Sequence, residues 1–430
     1  MGEQGLGQCA GNIAPCLVVV KLKVVTVLPY RMVLCMNTHS SLQRRADSGS
    51  IEHIRLDAAL ERFHPQVECE MRRVLERADG NAALHPFYGQ MAYHLGWVDE
   101  QLQPAQLPPG KLLRPALLLW ACALASAATS ADEVEREQCH QQALPVAAAV
   151  EFVHNFSLIH DDIEDHDEWR RHRRTVWAVW GEAQGINTGD AMVFLARLAL
   201  WEVVKRGVTS DLAVQLARIL DRTCLVLCEG QYLDLSFEAS ATVTPEMYLD
   251  MITRKTAALM RAATEMGARV GAPEVEETIA ALAEFGEELG IAFQLRDDLL
   301  GIWARSAQVG KTAAGDLRRK KMSFPVIHAL AHAAPHVRER MHAIYAQPGP
   351  ATDEQILILL DMLNATASYE WCHKVLARHC AKARTALARV CAHSSSTATA
   401  EPTTALEAVL DFVAGSAYQN GSPHYLALPL

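Results

Sequence analysis

Positive charge is in deficit in this chain: Lys and Arg number 40 against 50 Asp and Glu, for a formal net charge of -10 over 430 residues. A general nucleic-acid binder neutralises phosphates with a basic surface, so that class is excluded as a partner. Paired CxxC spacing is also missing from the 11 cysteines. No Lys or Arg precedes the first apolar run to make a signal-peptide n-region, and reduced thiols in a cytoplasmic protein are expected. Cys224 and Cys228, one helical turn apart, read as core residues. Uninterrupted hydrophobic runs of membrane-spanning length are lacking too. The apolar run of the first fifty residues, APCLVVVKLKVVTVLPYRMVLCM, carries Lys21, Lys23 and Arg31, charges that are costly in a bilayer core, so stable membrane insertion is not expected. Residues 1–50 read as a weakly ordered N-terminal extension, with Met32 and Met36 as alternative starting points. Finally, no strand series of alternating pattern and no repeat of fixed period runs through the rest.

Helical periodicity fills the space these absences leave. Stretches such as LDAALERFHPQVECEMRRVLERA, TIAALAEFGEELGIAFQLRDDLLGIW and ASYEWCHKVLARHCAKARTALARVCAH repeat apolar residues at spacings of three and four over lengths beyond those of strands. The class is all-α, and short connectors such as LPPG and GAPE predict antiparallel neighbours in one large bundle over residues 51–430. HSSSTATAEPTT, residues 393–404, reads as a flexible loop before a last helix, ALEAVLDFVAGSAY.

One stretch stands out. LIHDDIEDHDEWRRHRRT, residues 158–175, concentrates Asp161, Asp162, Glu164 and Asp165 and follows them with arginines. Like charges this close need solvent or a bound cation. On a helix Asp161 and Asp165 lie about 40° apart and His154 falls about 20° from Asp161, so the three share a stripe. Two carboxylates one turn apart suit Mg²⁺, which takes few carboxylates, several waters and phosphate oxygens. Alone, such a pair also fits a solvated acidic face. FQLRDDLLGIW changes that balance, because Asp297 and Asp298 stand among apolar neighbours where a wholly solvated face is not expected. Two acidic helices facing one another across a cavity would clamp a metal-bound diphosphate. Lys111, Arg114, Arg170, Arg171, Lys255, Lys311 and Lys321 supply more cations than one such diphosphate needs, which points to a second, metal-free diphosphate.

In order, the motifs GKLLRP, HNFSLIHDDIED, RRHRRT, GD at 189–190, GQYLD, RKT, FQLRDD and GKTAAGDLRRKKMSFP resemble those of the trans-isoprenyl diphosphate synthases, the polyprenyl synthetase family. The resemblance implies an all-α bundle of the isoprenoid synthase type around a deep central cavity, usually a homodimer. It also implies the head-to-tail joining of isopentenyl diphosphate to an allylic diphosphate. Asp161, Asp165 and Asp297 would ligate Mg²⁺. Arg170, Lys255, Lys311 and Lys321 would hold the allylic diphosphate, and Lys111, Arg114, His154 and Arg171 the isopentenyl diphosphate. Thr256 and Gln294 would line the reacting centre. Phe156 and Ser157 would form the floor that sets product length. An aromatic and then a small residue ahead of the acidic motif, without insertion in DDIED, is similar to synthases that stop at four isoprene units, with three next.

Two departures stand against the resemblance. Gly301 occupies the place of the usual third Asp in the second acidic motif, and His172 and Arg174 replace the Gly and Pro of the usual RRGxPT. Two other readings follow: a catalytically silent subunit that modulates a synthase, marked by Gly301, and a class I terpene cyclase, which needs no second set of diphosphate-binding cations.

Overall fold

The computed structural model describes residues 56–105, 107, 110–130, 132–238, 242–303, 314–392 and 396–415. The expected N-terminal extension, residues 1–50, and Lys311 lie outside the described residues.

Helices dominate these residues, as their periodicity predicts. After α1 (Leu56–Glu61), α2 (His64–Ala78) and α3 (His85–His94), α4 (Leu113–Thr129) is apolar almost all round because it runs through the interior, against α5 (Glu133–Glu164) and α10 (Ala258–Gly271). Helix α5 starts where the Asp132 side chain accepts from the Val134 amide, with Glu133 and Glu135 at the positive end of the helix dipole. It is long and apolar enough to cross a membrane by composition. However, 78% of its apolar window is buried inside the protein, so it is a core helix.

A two-stranded hairpin, β1 (Trp169–Arg170) and β2 (Arg173–Arg174), follows α5 and leads into α6 (Val176–Trp180) and α7 (Glu182–Lys205). Next come α8 (Ser210–Glu238), α9 (Pro245–Ile252), a π-helical turn at Thr253–Ala257 and α10. The connector after α10 contains GAPE and returns the chain as α11 (Glu276–Trp303), packed antiparallel on α10 as predicted. Helix α12 (Gly315–Arg318), α13 (Phe324–His332), α14 (Pro335–Tyr345), α15 (Asp353–Ala365), α16 (Ser368–Ala392) and α17 (Ala400–Ala414) complete the described chain. A second apolar cluster joins Ile302, Leu317 and Val326 to Met341, Leu359 and Leu363.

Sequence and structure differ at three places. Helix α3 ends at His94, well before α4 begins at Leu113, and it packs on α6 and α7, where a connector as short as LPPG predicts antiparallel neighbours. The hairpin at 169–174 has no alternating apolar pattern, because only a turn and a pair of backbone exchanges define it. The final helix begins at Ala400, inside the stretch read as a loop. Pro402 falls in its first turn, where the missing amide has no carbonyl to meet, and Leu406, Val409, Leu410 and Val413 bury the face.

Candidate active site

The C-terminal end of α5 delivers the first acidic motif to a cavity of about 750 Å³, whose lining includes Asp165, Asp234, Lys255, Lys321 and Tyr345. Lys255 sits among carboxylates: its Nζ donates to Asp234 Oδ2 at 2.6 Å and lies 3.7 Å from Asp161 Oδ1. Burial works against its charge, but Asp161, Asp234 and Asp165 together raise its proton affinity above the ordinary lysine value. Burial likewise pushes Asp161 and Asp165 up, with Lys255 opposing in both cases. Lys255 reaches this point because it lies in the π-helical turn, a local widening frequent at functional sites. Close approach of α8 requires Gly230 there, since a β-carbon at that position would lie 2.7 Å from Lys255 Cα.

The next residue of the turn touches the other acidic helix. Thr256 Oγ1 donates to Gln294 Oε1 at 3.0 Å, and Gln294 Nε2 donates to Asp298 Oδ1 at 3.2 Å. Consecutive side chains of one turn therefore connect with the acidic motifs of α5 and α11. Within the second motif the two aspartates are unlike. Asp298 is buried and accepts from the Tyr248 hydroxyl at 2.5 Å and the Phe324 amide at 3.1 Å, tying α11 to α9 and α13. It is a structural carboxylate, which leaves Asp297 as the candidate ligand. Lys321 lines the same cavity; lost hydration opposes its charge, but Asp298, Asp316 and Asp234 raise its proton affinity.

Gly301 has a spatial meaning. A β-carbon there would collide with Asp316 Oδ2 and lie 2.5 Å from Asp316 Cγ. Asp316 is itself buried and paired with Arg319 at 3.2 Å. The position read as a missing carboxylate thus makes room for a carboxylate from α12.

The basic residues gather further back along α5. Arg114 Nη1 donates to His154 Nε2 at 3.1 Å. Burial first, then Arg114 and Arg171, hold His154 well below the usual imidazole range, so the ring is neutral and can accept that bond. Arg171 lies against Gly110, its Nη2 2.9 Å from where a β-carbon would stand. Lys111 follows in sequence, its proton affinity lowered by lost hydration and then by Arg296. Arg114 Nε is buried without a hydrogen-bond partner, as is His94 Nε2 nearby. An unsatisfied buried guanidinium donor such as Arg114 Nε suits an anion. Arg170, expected on the first diphosphate, donates to buried Asp162 at 2.6 Å. Burial raises Asp162 to about 7 despite Arg170. Phe156 is buried with its ring centroid 5.9 Å from that of His160, and Ser157 Oγ donates to the His154 carbonyl at 2.8 Å.

Sequence reasoning gave no role of their own to Asp234, Asp162 and Asp298, and missed Tyr248, Asp316 and His94. Asp234 had a signal in GQYLD; the others are partners whose identity depends on elements meeting in space.

For a divalent cation the donor set is chemically apt: hard carboxylate oxygens that burial pushes toward protonation and that a cation would relieve. Among the described residues no three His, Cys, Asp or Glu side chains converge closely enough to hold an ion on their own.

The polyprenyl synthetase profile matches residues 96–363. The (2E,6E)-farnesyl diphosphate synthase of Mycobacterium tuberculosis is 36% identical over 331 residues, covering 76% of this chain and 86% of that protein. The geranylgeranyl diphosphate synthase of the same organism is 38% identical over 313 residues, covering 70% and 83%. A crystal structure of polyprenyl synthetase from Streptomyces coelicolor A3(2) superposes with a TM-score of 0.71 at 33% identity, over 83% of this chain and 99% of the other.

Proposed function

The chain belongs to the polyprenyl synthetase family of prenyltransferases, and from that premise we propose that it condenses isopentenyl diphosphate head to tail with an allylic diphosphate, releasing pyrophosphate. One observation carries this reading: α5 presents two oppositely charged sites along its length. Asp161 and Asp165 with Lys255 stand at its end, and His154 with Arg114 and Arg171 stand behind them. A metal-bound diphosphate fits the first and a metal-free one the second. A cyclase has no use for the second set.

In this reading Asp161, Asp165 and Asp297 hold Mg²⁺, which supplies charge neutralisation to the leaving diphosphate. Lys255 and Lys321 add fixed positive charge where the anion develops, and Arg170 joins them by leaving Asp162. Lys111, Arg114, His154 and Arg171 bind isopentenyl diphosphate and orient its double bond. Thr256 and Gln294, held by their mutual hydrogen bond, line the reacting centre. Ionisation of the allylic C–O bond gives pyrophosphate and a carbocation; the isopentenyl double bond attacks it, and pyrophosphate accepts the proton then lost. Apolar walls exclude water, and no protein nucleophile is needed. Geranylgeranyl diphosphate is the favoured product and farnesyl diphosphate the next, with Phe156 and Ser157 near the end of the chain pocket.

A homodimer formed through α7 and α8 fits the surface. Phe194, Leu198 and Trp201 recur at helical spacing on α7, and Leu225 and Tyr232 on α8; all five are exposed.

The test is to incubate the purified chain with Mg²⁺, labelled isopentenyl diphosphate and each allylic primer in turn, then resolve products by length. Incorporation supports the reading. No incorporation with any primer overturns it and favours a silent subunit.

A further inference from the structure

The hairpin that carries Arg170 and Arg171 turns through two residues with left-handed backbone, Arg171 at φ 50° and His172 at φ 62°. A two-residue turn of this kind matches the twist of its strands but favours Asn and Gly, because a β-carbon is strained there. Neither Arg nor His relieves that strain. With only two pairs of facing residues, Trp169 with Arg174 and Arg170 with Arg173, such a hairpin does not hold itself.

Something outside the hairpin therefore holds it, and the contacts identify it. Arg173 reaches back to the C-terminal end of α3, its Nη1 donating to the Tyr93 carbonyl at 2.6 Å and its Nη2 to the His94 carbonyl at 3.2 Å. Its guanidinium lies 5.2 Å from the centroid of the Tyr93 ring. The Tyr93 hydroxyl returns the connection by donating to the Arg174 carbonyl at 2.7 Å. Tyr93 is 2% exposed and packs edge-on against Trp180 at 4.9 Å, so the anchor is rigid. Carbonyls at a helix C-terminus carry partial negative charge, which suits a cation.

We propose that Arg173 and Tyr93 form a clamp that positions Arg171 in the isopentenyl diphosphate site, holding a turn that Gly at position 172 would adopt without strain and Pro at position 174 would stiffen. Both are positioning residues, and the inference rests on the two-diphosphate reading above. The clamp acts unequally on the two sites. Arg170 is pinned separately by Asp162 at 2.6 Å, whereas Arg171 rides on the turn and is directed at Gly110 beside Lys111.

The test is the split between substrates. Arg173→Gln should raise KM for isopentenyl diphosphate about tenfold, the scale of losing hydrogen bonds from one charged donor, while KM for the allylic diphosphate stays within about twofold. Tyr93→Phe keeps the ring and should give a smaller shift of the same kind, which covers the case of Arg173→Gln failing to fold. Adding His172→Gly and Arg174→Pro to Arg173→Gln should bring the isopentenyl KM back toward wild type. Proline is tolerated at 174 because Trp169 and Arg174 face each other outside the closing pair, leaving that amide pointing away from the ladder. Equal rises for both substrates, or a rise that the Gly–Pro pair does not lower, would overturn the clamp. Titration calorimetry with isopentenyl diphosphate alone reads the same shift as a Kd. A wild-type chain that binds it but makes no product would sink the proposed activity and leave the clamp to be judged by Kd; one that binds none would sink both.

Discussion

Replacing Gly301 should destabilise the protein and supply no useful ligand, although the sequence pattern invites an Asp there. A β-carbon at 301 would collide with Asp316 Oδ2 and stand 2.5 Å from Cγ. Asp316 is 7% exposed and escapes only by rotating away from Arg319, its partner at 3.2 Å. Overpacking of this kind costs about 1–3 kcal/mol, and Gly→Ala inside a helix returns about 1 kcal/mol, so Gly301→Ala should lose about 0–2 kcal/mol. Gly301→Asp gains less from propensity and adds a like charge beside a buried carboxylate, so its loss should be about 2–4 kcal/mol. Urea unfolding at neutral pH, followed by far-ultraviolet circular dichroism, measures both. The decisive comparison is a double-mutant cycle with Asp316→Ala. If the contact is the cause, the penalty of Gly301→Asp should shrink by at least about 1 kcal/mol once the Asp316 carboxylate is gone. A Gly301→Asp protein as stable as wild type, or a penalty unchanged by Asp316→Ala, would refute the reasoning.

Asp161→Ala should cut turnover by at least about a hundredfold with the fold intact, the scale of losing one electrostatic stabiliser, and excess EDTA should abolish turnover; near-normal rates in either case would remove Asp161 from the site. Phe156→Ala should lengthen the products and Ser157→Phe shorten them, and identical chromatographic profiles from wild type and Phe156→Ala would place the floor elsewhere. A pH effect is expected at Glu288, which accepts from Lys382 at 3.0 Å and pairs with His379. Burial opposes its charge, but those partners lower its proton affinity below the ordinary 4.5. A depressed carboxylate contributes stability that is present above its unfolded value and lost as pH falls through the folded one. The stability gap between wild type and Glu288→Gln should therefore be largest near neutrality and narrow below about pH 4.5; a gap that widens on acidification would contradict this sign.

By itself the sequence determined the all-α class, the two acidic motifs and most of the candidate site. Helical periodicity is a local property, and His154 and Asp161 share one helix that Asp165 caps, so their common stripe follows from the rise and rotation per residue. Lys255 and Thr256 were legible as a motif, yet nothing local predicts that one meets Asp161 and the other Gln294. That depends on a π-helical turn and on how closely α8 approaches it. Only the tertiary structure separated Asp298, a buried brace for Tyr248 and Phe324, from its neighbour Asp297. It also decided that Gly301 is space for Asp316, and that Arg173 reaches α3 while Arg171 lies against Gly110. Asp297 and Asp298, like Arg171 and Arg173, are residues of the same chemistry close together in the chain. What they do is set by partners tens of residues away, through packing and hydrogen bonds that exist only when those elements meet.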